Sequence, residues 1–224
     1  MTLEPLCEGI WTARAPLRFL TFAIGTRMTV VRLPDGGLLV HSPIALDASL
    51  RAELDALGPV RHVVSPNLYH HLYAKPLLDA YPEAVLHAPD ALAKKRRDLR
   101  VHRALGASAA PDWGGAITTV PIEGSMLNET VLFHAPSGTL ISADLLEYFE
   151  SCDELWTRTY LRVCGVYQKP TWNRLLRILY RDRKAARRSI DRLLELPIER
   201  IGIAHGDVIT RDARDALREG FAWL

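Results

Sequence analysis

Cysteine is scarce in this chain. Cys7, Cys152 and Cys164 are the only three in 224 residues, an odd number without the close pairs of a zinc ribbon. That points away from a disulfide framework and toward reduced, buried thiols in a cytoplasmic protein. Long apolar runs are missing too: Arg18, Arg27 and Arg32 break the best candidate before it reaches the roughly 18 apolar residues of a membrane span. The opening MTLEPLCEG holds two acids and no basic stretch ahead of an apolar segment, unlike a signal peptide. Charge of one sign is equally lacking, since 28 Lys+Arg against 26 Asp+Glu leave +2. Such a balance creates no field to draw nucleic acid or acidic lipid. Gly and Pro, 14 each, are too few for a collagenous or low-complexity chain.

What is present is an ordinary globular composition, 48% hydrophobic and 24% charged, at a length that suits one domain over 1–224. Neither a repeat nor a polar linker divides it. The opening third reads as β, with strands expected at 10–13, 19–23, 28–33 and 38–41; Pro34-Asp35-Gly36-Gly37 turns the last two into a hairpin. Asp47 is placed to cap a helix whose apolar face carries Leu50, Leu54 and Leu57, and Gly58-Pro59 ends it.

Strands and helices then alternate. Strands are expected at 61–65, 84–87, 116–121, 129–133, 138–142 and 200–204. Helical stretches fall between them: one follows Pro66-Asn67 to about Tyr81, and one opens at Pro89-Asp90. Residues 98–115 read as irregular and 145–196 as helical throughout, interrupted near Gly165 and Pro170. A closing helix is expected from Thr210 to Leu224, with Ala213, Ala216, Leu217, Phe221 and Leu224 as its stripe. Sheets covered by helices, an α/β (α+β) layered fold, satisfy this pattern.

Four polar groups stand where strands give way to loops: His41-Ser42, Asn67 to His71, Asp144, and His205-Gly206-Asp207. Loops beyond the carboxyl ends of strands converge in open α/β sheets. Imidazoles and a carboxylate meeting there are ligands suited to zinc, iron or manganese. Each residue also has a plainer role. Adjacent His70 and His71 point about 100° apart on a helix, Asp144 would cap a helix starting at Leu145, and His205 would donate within a Gly-containing turn. Only their joint placement lifts the functional reading. His62, His87, His102 and His134 read as surface, core or turn residues. The basic residues Arg181, Arg183, Lys184, Arg187 and Arg188 lack the interleaved aromatics of a stacking nucleic-acid surface.

Four segments in order, GGLLVHSPI, VVSPNLYHHLYAK, TVLFHAPSGTLISADLL and IGIAHGD, resemble the metallo-β-lactamase-fold superfamily. The likeness spans nearly the whole chain. It implies a four-layer αββα sandwich with one or two metals at the shared edge of its sheets. It is closest to a branch in which Ser-Pro-Asn-x-x-His-His stands in place of the His-x-His-x-Asp-His signature. With the signature's last His set on His71, Leu68 and Pro66 take the places of two imidazoles. No His occurs near Pro121–Gly124, where Glu123 is the one substitute ligand.

The resemblance then implies a single-metal site of His70, His71, Asp144 and His205, with His41 orienting ligands from behind. Asp144 is a ligand or, if left free, the general base, and Asn67 or Glu123 would position substrate. The reading that follows is a metal-dependent hydrolase in which activated water attacks an ester, amide or thioester of a small molecule. Beside it stands a second: a non-catalytic descendant that has lost its metal and binds a ligand or partner. Iron redox chemistry and nuclease action rank lower, as both want a second metal. The apolar residues around Trp156 and Tyr160 offer a face for a homodimer.

Overall fold

The computed structural model describes residues 1–106 and 110–224. Seven strands form the larger sheet: β1 (Glu4–Cys7), β2 (Ile10–Ala15), β5 (Thr26–Arg32), β6 (Leu38–His41), β7 (Val60–Val64), β8 (Val85–Ala88) and β9 (Arg103–Ala104), in that order. It is antiparallel from β1 to β6 and parallel from β6 to β9. The smaller sheet runs β10 (Ile117–Pro121), β11 (Thr130–His134), β12 (Thr139–Ile141) and β13 (Arg200–Gly202), its last pair parallel. Between β2 and β5, β3 (Arg18–Phe19) and β4 (Phe22–Ala23) make a separate tight hairpin. A single strand over 19–23 was expected there, but Leu20, at φ 54°, turns the chain.

Alternation along the strands sorts the core into layers. Val30 and Val40 face outward with Leu38, against Leu50 and Leu54 of α1 (Ala48–Leu57) and Leu77 of α2 (Ala74–Ala80). Their neighbours Val31 and Leu39 face inward with Val64 and meet Ile117, Leu132 and Ile141 of the second sheet. On that sheet Val131 and Phe133 turn the other way, onto Ile190 and Leu193 of α5 (Arg183–Leu194) and Leu217 of α6 (Ala213–Gly220). Helix, sheet, sheet and helix therefore stack as expected. Asp47 caps α1 by accepting the Leu50 N–H at 2.8 Å. The remaining helices are α3 (Asp90–Lys95) and α4 (Leu155–Cys164).

Three local expectations are corrected. Residues 145–154 are not helical: Glu147 and Phe149 run extended, exchanging backbone hydrogen bonds with Thr171 and with Val166 and Gln168. Asp144 therefore caps no helix, and Cys152 lies outside α4. The final helix begins at Ala213 rather than after Thr210, because Ile209 exchanges both backbone hydrogen bonds with Ile201. The stretch 98–115 holds strand β9 and a 3₁₀ turn at Pro111–Trp113, while 107–109 lie outside the described residues. Trp156 is exposed at 77%, whereas Tyr160 turns inward to stack on Phe22, with ring centroids 4.1 Å apart. Among the described residues, no helix is long and apolar enough to cross a membrane.

Candidate metal centre

Parallel pairing aligns the carboxyl ends of β6 with β7 and of β12 with β13. The loops leaving those four ends meet at one edge of the sandwich. His70 Nε2 lies 3.2 Å from Asp144 Oδ1, and His205 Nε2 lies 3.4 Å from the same oxygen. One ligand atom from each of His70, Asp144 and His205 falls within 4.8 Å of the others. Two imidazole nitrogens and a carboxylate oxygen at that spacing fit a divalent cation, with coordination positions left open toward solvent or substrate.

Each side chain is aimed by a second contact. His205 donates its Nδ1–H to the Gly25 carbonyl oxygen at 2.7 Å, which directs Nε2 at Asp144. His70 Nδ1 meets the Ser42 hydroxyl at 2.7 Å, and Ser42 sits at φ 54° directly after β6. Asn67 accepts the N–H groups of Tyr69 and His70 at 2.8 and 2.9 Å, folding 67–70 into the turn that carries His70 inward. Burial opposes the charge of Asp144, but His70 and His205 outweigh it and hold the carboxyl well below its usual range. Burial pulls the other way on His205, yet its hydrogen bond to Asp144 leaves it raised.

His71, expected among the ligands, is outside this group. Its Nδ1 accepts from Arg96 Nη1 at 2.8 Å, and burial, Lys95 and Arg96 lower its pKa, so it is a neutral acceptor on the cavity wall. His41 is buried and held neutral, lowered to about 3 by burial and then by His70. Its Nε2 has no partner among the described residues, and it is Ser42 that contacts a ligand. Glu123 faces Arg192 at 3.5 Å, away from the cavity.

Two acids went unnoticed in the sequence. Glu129 is buried and accepts the backbone N–H groups of Ala143 and Asp144, at 2.8 and 3.0 Å. Burial and then the Asp144 charge raise its pKa, against those hydrogen bonds. Glu147 lines the cavity with Asp144 and His205, and burial raises its pKa. Nothing in their spacing marks them; both stand in segments otherwise read as plain strand or helix.

The cavity above the centre has a volume of about 530 Å³. Leu17, Phe19 and Ile24 wall it on the hairpin side, Tyr69, Leu72 and Tyr73 after β7, and Tyr160, Leu176 and Leu179 from the later segments. The 145–180 stretch thus helps to shape the pocket. No described residue of 98–115 does so.

The fold is metallo-β-lactamase-like. The metallo-β-lactamase from Erythrobacter litoralis superposes with a TM-score of 0.70 at 12% identity, covering 99% of this chain and 96% of that one. Those from Pontibacter korlensis and Hirschia baltica give 0.67 at 11% and 0.68 at 12%, again over 99% of this chain and 98% and 96% of theirs. At such identities the likeness is one of fold. A family model described as a domain of unknown function, DUF4336, matches residues 8–92. No curated protein matches the chain.

Proposed function

We propose that this protein is a metal-dependent hydrolase of a small molecule, built on one divalent cation, zinc, iron or manganese. The observation that carries the reading is the convergence of His70, Asp144 and His205 on the floor of a cavity with apolar walls. These three would hold the ion, and His71 would not. A divalent cation so held would supply the activation of water, whose pKa it would lower toward about 7.

The chain's own groups account for the rest. Asp144 is committed to the imidazoles, which leaves Glu147 as the carboxyl on the cavity wall with no ion-pair partner among the described residues. Its burial makes it a better proton acceptor than an exposed Glu, and we assign it the general-base role first considered for Asp144. Apolar side chains of the hairpin and of 176–179 would seat the body of the substrate and exclude bulk water. The reactions within reach are hydrolysis of an ester, thioester or amide.

The test pairs metal analysis with a substrate panel. Protein purified without added metal should carry about one equivalent, and hydrolysis of some panel member should vanish in Asp144→Ala. The Pro66 and Leu68 that stand where the resemblance sets two imidazoles favour a second reading, a metal-free binding protein. No bound metal and an unchanged melting temperature with added zinc would establish that one instead.

A further inference from the structure

The polar groups beside Asp144 extend this one-metal reading, on which the following rests. Asn67 is fully buried, and its amide is saturated. Nδ2 donates to Asp144 Oδ2 at 2.7 Å and to Glu129 Oε2 at 3.3 Å, while Oδ1 accepts from Tyr69 and His70. Glu129 in turn grips the backbone of Ala143 and Asp144. Asp144 is therefore held from two sides. Its Oδ2 faces an amide, and its Oδ1 faces the two imidazoles.

We infer that the Asn67 amide, backed by Glu129, takes the place that a second cation would occupy on Asp144 and restricts the centre to a single ion. The amide supplies N–H protons to the carboxylate oxygen that a second cation would otherwise neutralise. Seating a cation at Oδ2 would displace the amide and strip Glu129 of one of its donors, at the cost of leaving buried polar groups unpaired. Asn67 and Glu129 are positioning residues in this scheme, and neither touches substrate.

Zinc titration of the full chain, with metal content measured after desalting, provides the test. Wild-type protein should saturate at one equivalent. Two equivalents would overturn the inference while leaving metal-dependent hydrolysis through His70, Asp144 and His205 standing, whereas none would overturn both. Asn67→Asp retains an acceptor for Tyr69 and His70 but sets a carboxylate against Asp144 and Glu129. It should take up a second equivalent, and saturation at one with unchanged affinity counts against the inference. If circular dichroism shows that variant unfolded, Glu129→Gln replaces it. Zinc affinity should then fall by about 10- to 100-fold, and the visible spectrum of the cobalt-loaded protein should shift. An unaltered affinity and spectrum would refute the positioning role.

Discussion

His205 donates to the carbonyl oxygen of Gly25 across 180 residues of chain, joining the loop after the last strand to the loop that leads from the small hairpin into β5. This contact settles which ring nitrogen looks into the centre. It also ties the metal ligand to the segment that walls the cavity, so the two sheets share responsibility for the geometry at their common edge.

The ligand assignment predicts an asymmetry between adjacent histidines. His70→Ala, Asp144→Ala and His205→Ala should each weaken zinc binding by on the order of 100-fold or more, beyond the effect of losing a supporting contact. His71→Ala should keep its metal, since that ring already accepts from Arg96. Competition against a chromogenic chelator reads both. Equal losses at His70 and His71 would disprove the assignment.

Gly206 follows a ligand and has φ +86°, with an added Cβ only 1.8 Å from the Tyr148 carbonyl oxygen. Gly206→Ala should therefore destabilise the fold by about 3 kcal/mol or more. Because the backbone at Tyr148 or at His205 must move, zinc affinity should drop with it. Urea denaturation alongside the chelator assay measures the pair, and a variant of native stability would show that the contact relaxes freely.

Away from the centre, His62 Nδ1 and His87 Nε2 share a hydrogen bond at 3.0 Å, and the His87 ring lies 5.0 Å from that of Trp113. Burial, followed by His62, Arg103 and His102, lowers His87 to about 3 from 6.5. The unfolded chain thus binds this proton first as pH falls. The stabilisation is complete above the unfolded value of 6.5 and is lost progressively toward 3. Between pH 7 and 5 this group should cost about 2 kcal/mol of stability. The difference between denaturation at the two pH values should shrink by that amount in His87→Gln, and an identical difference would show that the pair does not titrate as argued.

Leu50 is fully buried between α1 and the outer face of the larger sheet. Leu50→Ala should destabilise by about 2–5 kcal/mol. The exposed Leu155→Ala should change stability by no more than about 0.5 kcal/mol. Thermal melts of the two variants check the layer assignment, since comparable shifts would contradict it.

Much of the architecture was legible because period-2 and period-3.6 patterns are local. Val30 and Val31, or Leu132 and Phe133, separate the two faces of a strand without reference to the rest of the chain. Where the expectation went astray, a distant backbone had claimed the segment. Residues 145–154 look helical until Thr171 and Val166 pair with them, and Ile209 would start a helix were Ile201 not beside it. His71 falls outside the expected ligand set for a related reason. Adjacent His70 and His71 are chemically equal, and the turn set by Asn67 decides which of them looks inward.

The amino-acid order alone determined the layered α/β plan, the short loops at the strand ends, and the presence there of imidazoles and carboxylates. Those follow from burial of apolar side chains and from turn chemistry acting over a few residues. Tertiary structure alone decided that His70 rather than His71 joins Asp144 and His205, and that Glu129 rather than Glu123 supports the centre. Both choices depend on angles and distances between segments tens of residues apart, which only the packing of one sheet on the other can set.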